Sequence, residues 1–270
     1  MQCFLCGSQN FIKKYSLQRG IISSCQTCGI FVKQTTNQLV EKLYDDRYYD
    51  SYPYSNTLGL NNRYYDQKIK KIIGHTNSKP HILDVGCGWG DFLERCTARG
   101  LPCFGIDHSP TAISHVRKKK INCDVSDIES FAQKHAGEFD AITSFQTIEH
   151  VKNPLLFLKS AQTLLKPGGI ILLTTPNNDS PLRYFMRGKW SVYNIESHYI
   201  FFSKQTLHQA VEKTGFTTIK IHLDSPRFFS SNYILSRLSA QLPAPIDYLL
   251  SKLPLPTDPF GDLIVVAFRP

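Results

Sequence analysis

A run of alternating glycines between an apolar segment and a polar one most constrains the fold of this chain. Residues 81–85 are strand-like, and Gly86, Gly88 and Gly90 follow before a helix begins at residue 91. Glycine permits a tight turn and lets the backbone approach a ligand closely. The pattern predicts a ligand at the open N-terminus of the helix, although the same pattern also occurs where a turn only connects two elements.

A carboxylate at the end of a second short strand supports the ligand-binding interpretation. Residues 104–107 form this strand, and Asp107 lies 21 positions after Gly86. In doubly wound folds an acid at this place holds the hydroxyls of a ribose. We therefore expect a nucleotide-containing ligand at the ends of the first two strands.

Asp84 narrows the choice of nucleotide. Dinucleotide dehydrogenases use the spacing G-x-G-x-x-G and keep this strand position apolar. Here the spacing is G-x-G-x-G, and an acid stands two residues before the first glycine. An acid in that place suggests a cationic ligand.

Four further segments follow the glycine turn in a recognisable order. They read Glu138-Phe139-Asp140-Ala141-Ile142, Ile148-Glu149-His150-Val151, Leu164-Leu165-Lys166-Pro167-Gly168-Gly169 and Thr175-Pro176-Asn177. Together with the turn they resemble class I S-adenosylmethionine (SAM) methyltransferases of the ubiquinone-methyltransferase-like branch, over residues 80–223. That branch includes members with a zinc ribbon that act on sugars and natural products.

The resemblance implies a set of cofactor-binding residues. In the family the acid that corresponds to Asp84 lies near the methionine end of the cofactor. By the same resemblance, Asp127 and Ile128 after the third strand would lie beside the adenine. The predicted set is Asp84, Gly86, Cys87, Gly88, Gly90, Asp107, His108, Asp127, Ile128, Phe145 and Gln146.

Four of the eight cysteines have the spacing of a zinc site. Cys3-x-x-Cys6 and Cys25-x-x-Cys28 are separated by 18 residues, and a glycine follows each pair. Two such turns supply four thiolates to a tetrahedral ion. Disulfides are disfavoured because no secretory signal is visible, and a redox motif would need a single pair. We expect structural zinc, and we expect the other four cysteines to be small buried hydrophobes.

Strand and helix signals alternate along the rest of the chain. The predicted strands are 81–85, 104–107, 121–125, 139–145, 170–174, 217–223 and 263–268, and the predicted helices include 66–73, 111–119, 154–165 and 204–213. This alternation predicts an α/β fold, a doubly wound, mostly parallel sheet of seven strands with helices on both faces. The resemblance implies that the seventh strand is antiparallel to its neighbours.

The predicted domain organisation has three parts. Residues 1–36 form a zinc ribbon, residues 37–78 a tyrosine-rich linker and helix, and residues 79–270 a methyltransferase domain. Seven tyrosines lie between residues 44 and 65. We expect their rings to pack on the main domain, or alternatively to cap the cofactor pocket as the resemblance suggests.

Two insertions interrupt the alternation. Residues 178–203 follow the fifth strand, above the strand ends where open α/β sheets bind ligands, and we name this insertion the lid. Its cations and aromatic rings favour an anionic or ring-bearing acceptor. The predicted acceptor-binding residues are Arg183, Arg187, Trp190 and Tyr193. Residues 224–261 are apolar and proline-rich, which suggests cover for the pocket, a homodimer surface or peripheral membrane contact.

Two histidines are candidate proton acceptors in catalysis, with a structural role as the alternative. His150 follows the fourth strand, and His198 belongs to the lid. A divalent ion is a further alternative, because Gln146-x-x-Glu149-His150 with a distant histidine resembles the Glu-x-x-Glu-His set of small-RNA and some quinone methyltransferases. Gln146 replaces the first acid of that set, which weakens a site for a hard cation such as Mg²⁺.

Composition bounds the class of protein without identifying the acceptor. A chain of 270 residues with 41% apolar content can bury a full α/β core and one small module. The net charge of +9 is spread over many surface lysines and suits an acidic substrate, nucleic acid or a membrane surface. Neither a leader pattern nor a bilayer-spanning apolar run is visible, so we expect a cytoplasmic location.

These patterns predict a SAM-dependent methyltransferase that acts on oxygen or carbon of a small biosynthetic metabolite. The first alternative is an RNA methyltransferase that uses the ribbon and the basic charge for binding. The ribbon weakens that alternative, because its basic residues are scattered and do not form a stripe interleaved with aromatic rings. The second alternative is a non-catalytic scaffold, which the intact acids and glycines of the turn oppose.

Overall fold

The computed structural model describes residues 1–34, 61–225 and 261–270, together with the backbone of 228–230 and 254–256. The strands in these residues are β1 (Phe11–Leu17), β2 (Gly20–Cys25), β3 (Phe31–Gln34), β4 (Ile82–Val85), β5 (Cys103–Asp107), β6 (Cys123–Val125), β7 (Phe139–Phe145), β8 (Leu165–Pro176), β9 (Ile200–Phe201), β10 (Thr217–Leu223), β11 (Phe228–Ser230), β12 (Pro254–Pro256) and β13 (Asp262–Phe268). The helices are α1 (Asn62–Ile73), α2 (Asp91–Ala98), α3 (Pro110–Lys118), α4 (Ile128–Ala132), α5 (Pro154–Leu164), α6 (Pro181–Met186), α7 (Ser191–Asn194) and α8 (Lys204–Lys213).

Seven of the described strands form one large sheet in the order β10-β13-β8-β7-β4-β5-β6. The five strands from β8 to β6 pair in parallel, whereas β13 is antiparallel to both β8 and β10. This arrangement confirms the predicted doubly wound, mostly parallel sheet and its antiparallel seventh strand. All four residues of β4 are buried, as expected for a central strand that is covered by helices on both faces.

The strand order places a cleft beside the end of β4. From β4 the chain proceeds to β5 on one side, and later to β7 on the other. The connections therefore diverge at this strand, and in open α/β sheets such a point is where ligands bind, outside the carboxyl ends of the strands. The glycine turn begins directly after Val85, at that end of β4.

A second, four-stranded antiparallel sheet joins the ribbon to the lid. Its order is β1-β2-β3-β9, so three strands come from the ribbon and the fourth comes from residues 200 and 201 of the lid. The sequence analysis did not predict β9, because two residues carry no detectable periodicity. The ribbon and the methyltransferase domain thus share a sheet, and their buried residues form a continuous core.

Several predictions about the linker and the second insertion fall outside the described residues. Five of the seven tyrosines in the linker lie there, as do most of residues 224–261, except for the antiparallel pair β11 and β12. Tyr64 and Tyr65 are described and lie on α1. Among the described residues, the helices are too short or too polar to cross a bilayer.

Candidate functional site

The glycine turn after β4 forms a cradle at the N-terminus of α2. Gly86, Gly88 and Gly90 have φ angles of 73°, 50° and 80°, a region that strongly favours glycine. A Cβ on Gly86 would lie 2.4 Å from the hydroxyl of Thr147, and one on Gly90 would lie 2.9 Å from Val116. A Cβ on Gly88 would meet no described atom within 4 Å. Gly88 therefore borders open space, which a ligand of the backbone turn would fill.

Asp107 ties the ends of β4 and β5 together. One carboxylate oxygen accepts a hydrogen bond from the Gly88 amide at 2.9 Å, and the other accepts from the Ser109 amide at 2.9 Å. The carboxylate is buried at the floor of the cradle. It holds the glycine turn in place through the Gly88 amide.

Asp84 lies buried beneath the same turn. The Thr143 hydroxyl on the neighbouring strand donates to its carboxylate at 2.7 Å. Burial raises the pKa of Asp84 to about 7, and that hydrogen bond opposes the rise. A cationic ligand would favour the ionised carboxylate, so Asp84 fits the predicted role of holding positive charge.

The end of β7 forms the second wall of the cradle. Gln146 has a φ of 56°, which is strained for a residue other than glycine. Its backbone N–H donates to the Thr174 carbonyl at 3.0 Å. Such strain concentrates at functional sites, where the surrounding structure maintains it. The Phe145 ring lies 6.3 Å and 6.0 Å from the rings of Tyr64 and Tyr65, measured between centroids. Two linker tyrosines therefore cover this wall.

The remaining predicted cofactor residues are distributed around the cradle. His108 is exposed directly after Asp107, and Cys87 is buried within the turn. Asp127 is the N-cap of α4 and accepts from the Ser130 amide at 2.6 Å, so its carboxylate stabilises that helix. Ile128 is buried in the main core. Their contacts with a cofactor remain predictions.

A polar cluster, in which two of three side chains are buried and His150 is half-buried, follows the strained end of β7. It consists of Glu149, His150 and His198, whose ligand-type atoms all lie within 4.8 Å of one another. The two imidazole centroids are 4.5 Å apart, in an edge-to-face arrangement. The Thr175 hydroxyl at the end of β8 donates to Glu149 at 3.0 Å. The structure thus brings the two predicted histidines together, although 48 positions separate them in the sequence.

The protonation state of His150 follows from its contacts. Its Nδ1 lies 3.0 Å from the carbonyl oxygen of Ser197. Because a carbonyl oxygen can only accept, Nδ1 carries the hydrogen and Nε2 carries the lone pair. Burial lowers the pKa of His150 to about 4, and the charge of Lys33 adds to the decrease. The imidazole is therefore neutral near pH 7, and Nε2 is its nitrogen without a hydrogen.

The cluster and the cradle are connected through Thr147. Its hydroxyl lies 3.4 Å from the Val85 carbonyl at the end of β4, and its side chain packs over Gly86. The chain from Thr147 then leads through a short 3₁₀ turn, Ile148–His150, to the cluster. The cradle and the cluster are thus joined by three residues of main chain.

The lid residues predicted to bind the acceptor contact the ribbon instead of an open pocket. Trp190 and Tyr193 are fully buried with Ile22 and Phe201. The Arg183 guanidinium is also buried, donates to the Asn178 carbonyl at 2.7 Å and lies 5.4 Å from the ring of Phe31. Their packing shapes the lid, and their direct contact with an acceptor stays a prediction. Arg187 is exposed on the lid, in a strained conformation with φ of 48°.

The four N-terminal cysteines converge at one point of the ribbon. The Sγ atoms of Cys3 and Cys28 are 3.6 Å apart, as are those of Cys6 and Cys25. Sulfurs bound to a tetrahedral zinc ion are about 3.8 Å apart, whereas a disulfide bond is about 2.0 Å long. Although burial opposes the change, the amides of Cys28 and Thr27 lower the pKa of Cys25 to about 7. Burial raises the pKa of the Cys3 and Cys28 thiols, so the geometry of the four sulfurs is the observation that fits zinc.

Sequence reasoning missed two contributors to the site. Lys33 is one of the scattered basic residues of the ribbon, and its ammonium group is buried between the ribbon and the lid. Thr175 was noted only as part of a motif, and it holds the Glu149 carboxylate. A buried position within the short strand β3 was the available signal for Lys33, because a lysine there requires acceptors nearby.

Comparisons with known proteins agree with this geometry. A family model described as a methyltransferase domain matches residues 59–221. A ubiquinone biosynthesis O-methyltransferase of Acinetobacter baumannii is 36% identical over 105 residues, which are 36% of this chain and 44% of that protein. The chain thus matches less than half the length of this relative.

Solved structures share the fold at low sequence identity. A SAM-dependent methyltransferase from Archaeoglobus fulgidus has a TM-score of 0.55 and 20% identity, and the match covers 77% of this chain and 94% of that one. The cyclase SpnF has a TM-score of 0.54 and 20% identity, over 77% of this chain and 81% of that one. The second case shows that the fold by itself does not determine the reaction.

Membership of the family rests on the family match, and the cradle provides its physical counterpart. The match spans more than half of the chain and includes both walls of the cradle. The open space above Gly88 and the buried acids beneath it suit a nucleoside that carries a positive charge. The chain therefore belongs to the class I SAM-dependent methyltransferases.

Proposed function

We propose that this protein transfers the methyl group of SAM to a hydroxyl oxygen of an anionic aromatic metabolite. The observation that carries the proposal is the cluster of Glu149, His150 and His198 next to the glycine cradle. A methyl acceptor that must lose a proton needs a base close to the methyl donor. The cluster offers the neutral imidazole of His150 there.

The cofactor fits the residues of the cradle. The amides at the N-terminus of α2 and the carboxylate of Asp107 would hold the nucleoside, and Asp84 would balance the positive charge. When bound, SAM supplies an electrophilic methyl group on a sulfonium. The chain supplies alignment, which accounts for much of the acceleration of an in-line displacement.

His150 is the better candidate for the base. Its Nδ1 donates to the Ser197 carbonyl, so Nε2 is the ring nitrogen that bears no hydrogen, and the lid turn fixes the orientation of the ring. Nε2 would take the hydroxyl proton while the oxygen–carbon bond forms and the carbon–sulfur bond of the sulfonium breaks, which would leave a neutral thioether. His198 packs edge-to-face against this ring and fixes its orientation.

A divalent cation is the second candidate for activating the hydroxyl. One carboxylate and two imidazoles form a donor set that suits Mn²⁺, Fe²⁺ or Zn²⁺ better than Mg²⁺, which prefers oxygen ligands. The 4.8 Å clustering of the three side chains is the observation that favours it. A chelator should abolish turnover if a cation activates the hydroxyl, and it should leave turnover unchanged if a histidine acts as the base.

The acceptor class is inferred from the relatives and from the lid. The curated relatives are O-methyltransferases of ubiquinone biosynthesis, and they support a phenolic acceptor. The exposed Arg187 on the lid suits an anionic group on that acceptor. The RNA methyltransferase alternative gains no observation in its favour from the comparisons.

The four cysteines are proposed to hold one structural zinc ion. With four protein thiolates the ion has no open coordination position, so it takes no part in methyl transfer. Its binding energy would fold the ribbon, which is too small to fold on a core of its own.

A methyl-transfer assay with variants of the two histidines tests the proposal. The probe is 3,4-dihydroxybenzoate with methyl-labelled SAM, and 3,4-dimethoxybenzoate is the blank without free hydroxyls. We expect His150→Ala to lower turnover about a hundredfold while SAM affinity stays unchanged. His208→Ala, an exposed histidine on α8, is the matched control and should be as active as the unaltered enzyme.

The outcomes separate the acceptor class from the mode of activation. If the enzyme binds SAM but methylates no phenol, the proposed acceptor class is wrong. If His150→Ala and His198→Ala both keep more than a tenth of the turnover, alignment alone drives the reaction. Loss of activity on chelation that Mn²⁺ restores, with zinc still bound to the cysteines, would assign the cluster to a cation.

A further inference from the structure

Lys33 occupies the junction between the ribbon and the lid. Its residue surface is 8% exposed, and its Nζ donates to the carbonyl oxygens of Tyr193 at 3.1 Å and Ile195 at 2.6 Å. These two carbonyls lie directly before the turn that carries Ser197 and His198. A single ammonium group thus holds the start of that turn.

The main chain of the same residue holds the end of the turn. The Lys33 amide donates to the Tyr199 carbonyl at 2.8 Å, and the Tyr199 amide donates to the Glu149 carbonyl at 2.9 Å. The Tyr199 residue therefore bridges the ribbon and the Glu149–His150 turn. Lys33 fixes residues 195–199 at both ends, and the Ser197 carbonyl inside this segment contacts His150 at 3.0 Å.

Packing alone does not explain a lysine at this position. Burying an ammonium group removes it from water, and two carbonyl dipoles replace that hydration only in part. The pKa of Lys33 is lowered by this burial to about 8. An apolar chain of the same length would fill the space without that penalty. The lysine is therefore expected to contribute geometry more than stability.

We infer that Lys33 is a positioning residue of the acceptor site, through which the ribbon holds the lid turn so that His198 and Ser197 orient His150. The inference rests on the proposed function, because it assumes that this histidine pair serves the acceptor. The ribbon would then contribute to the geometry of the acceptor site. A second contact joins the ribbon to the same segment of the lid, because Arg19 forms an ion pair with Glu196.

Three variants of the full-length protein test the inference. Lys33→Met removes the ammonium group and keeps the stem, Lys33→Arg keeps a cation, and Lys13→Met is an exposed lysine of β1 that serves as the control. Amide hydrogen exchange is measured on all of them. For Lys33→Met we expect at least about tenfold faster exchange at the described amides of residues 193–201 and 148–150. Exchange in residues 86–96 should not change, and Lys13→Met should match the unaltered protein.

Kinetics separate positioning from a structural role. With 3,4-dihydroxybenzoate, Lys33→Met should lower kcat by about tenfold or more, because a small misplacement of a catalytic group has a large effect on rate. The KM for SAM should stay unchanged and the melting temperature should not fall, and Lys33→Arg should recover part of the lost kcat. A loss of stability that accompanies every kinetic change would instead indicate a structural role and overturn the inference.

The exchange measurement makes the inference independent of the acceptor. If exchange in residues 193–201 is unaltered in Lys33→Met, the inference is wrong whatever the substrate. If the unaltered enzyme binds SAM but methylates none of the phenols, the proposed function fails, and faster exchange at 193–201 still supports the mechanical link. If exchange increases and kcat does not change, Lys33 does not position the catalytic groups.

Discussion

The proposed cofactor half and the proposed acceptor half of this protein are built in opposite ways. The cradle for the cofactor uses residues from one stretch of about 25 positions, from Asp84 to Ser109, plus the end of β7. The proposed acceptor half uses the cluster of Glu149, His150 and His198, and Lys33 of the ribbon holds the lid segment that leads to His198. The first half is local in sequence, and the second combines three distant segments.

The local half would hold the cofactor, and the half assembled from distant segments would determine which acceptor is bound. A local cradle keeps its geometry when loops elsewhere change, because its own backbone amides and two buried acids define it. A site assembled from a lid and an accessory module can change its acceptor while the cradle stays constant. We therefore expect damage to the ribbon to affect the acceptor half and to spare the cofactor half.

Substitution of Gly88 should produce the largest effect, confined to the cofactor half. A methyl group at this position would enter the open space above the turn, where the cofactor is proposed to lie. We expect Gly88→Ala to weaken SAM binding more than a hundredfold, measured by calorimetry. Gly137→Ala is the matched control, because Gly137 also has a positive φ, of 70°, and open surroundings, but it precedes β7 at the opposite edge of the sheet.

The control separates backbone strain from occlusion of the ligand. Both substitutions place alanine in a left-handed conformation, which costs about 1 kcal/mol of stability. Equal loss of stability with unequal loss of SAM affinity is the expected result. Full SAM affinity in Gly88→Ala would mean that the cofactor does not lie over this turn.

Removal of the zinc site should produce the next effect, confined to the acceptor half. Cys25→Ser removes one of four thiolates, and without the ion the ribbon should unfold. β9 then loses its partner strand, and the lid turn loses Lys33. We expect turnover of the phenolic probe to fall about a hundredfold, whereas SAM affinity should change by less than about threefold.

Elemental analysis and calorimetry on the same samples check this prediction. The unaltered protein should contain one zinc per chain, and so should Cys123→Ser, which changes a buried cysteine outside the ribbon. A protein purified without chelator and free of zinc would contradict the metal assignment. An equal loss of SAM affinity and turnover in Cys25→Ser would contradict the separation of the two halves.

The same contrast explains what could be predicted from the sequence. β7, α8 and β10 have the predicted bounds, because each is a continuous segment with clear periodicity and a turn at its ends. The glycine turn and its two acids were also recognisable, since their spacing is fixed by one strand, one turn and one helix. The pairing of β9 with β3 was not, because two residues of the lid form it and no local pattern marks them.

The burial of Trp190 and Tyr193 illustrates the remaining limit. Aromatic residues on a loop above the strand ends suggest ligand contact, and the same residues suit a buried interface equally well. The ribbon decides between these outcomes by covering their rings, and nothing in the lid sequence indicates that it would. Long-range packing of this kind can be recognised only in the folded structure, whereas a site formed within one turn can be recognised in the sequence.

The smallest predicted effect is a pH dependence that belongs to the cofactor half. Burial raises the pKa of Asp84 to about 7 in the protein without ligand. Its carboxyl group is therefore mostly protonated at pH 6 and mostly ionised at pH 8. A cationic ligand favours the ionised form, and binding below pH 7 must therefore release a proton. We expect SAM affinity to rise about tenfold from pH 6 to pH 8.

The free energy of unfolding of the ligand-free protein should change with pH in the opposite direction, because of the same carboxyl group of Asp84. The folded pKa lies above the unfolded value of about 3.9, so the contribution of Asp84 is present at low pH and is lost as pH rises from about 4 to 7. Asp84→Asn should remove both trends, and subtraction of its binding curve cancels any titration of the ligand itself. SAM affinity that is flat with pH in the unaltered protein, or equally steep in Asp84→Asn, would show that this carboxyl group does not sense the cofactor charge.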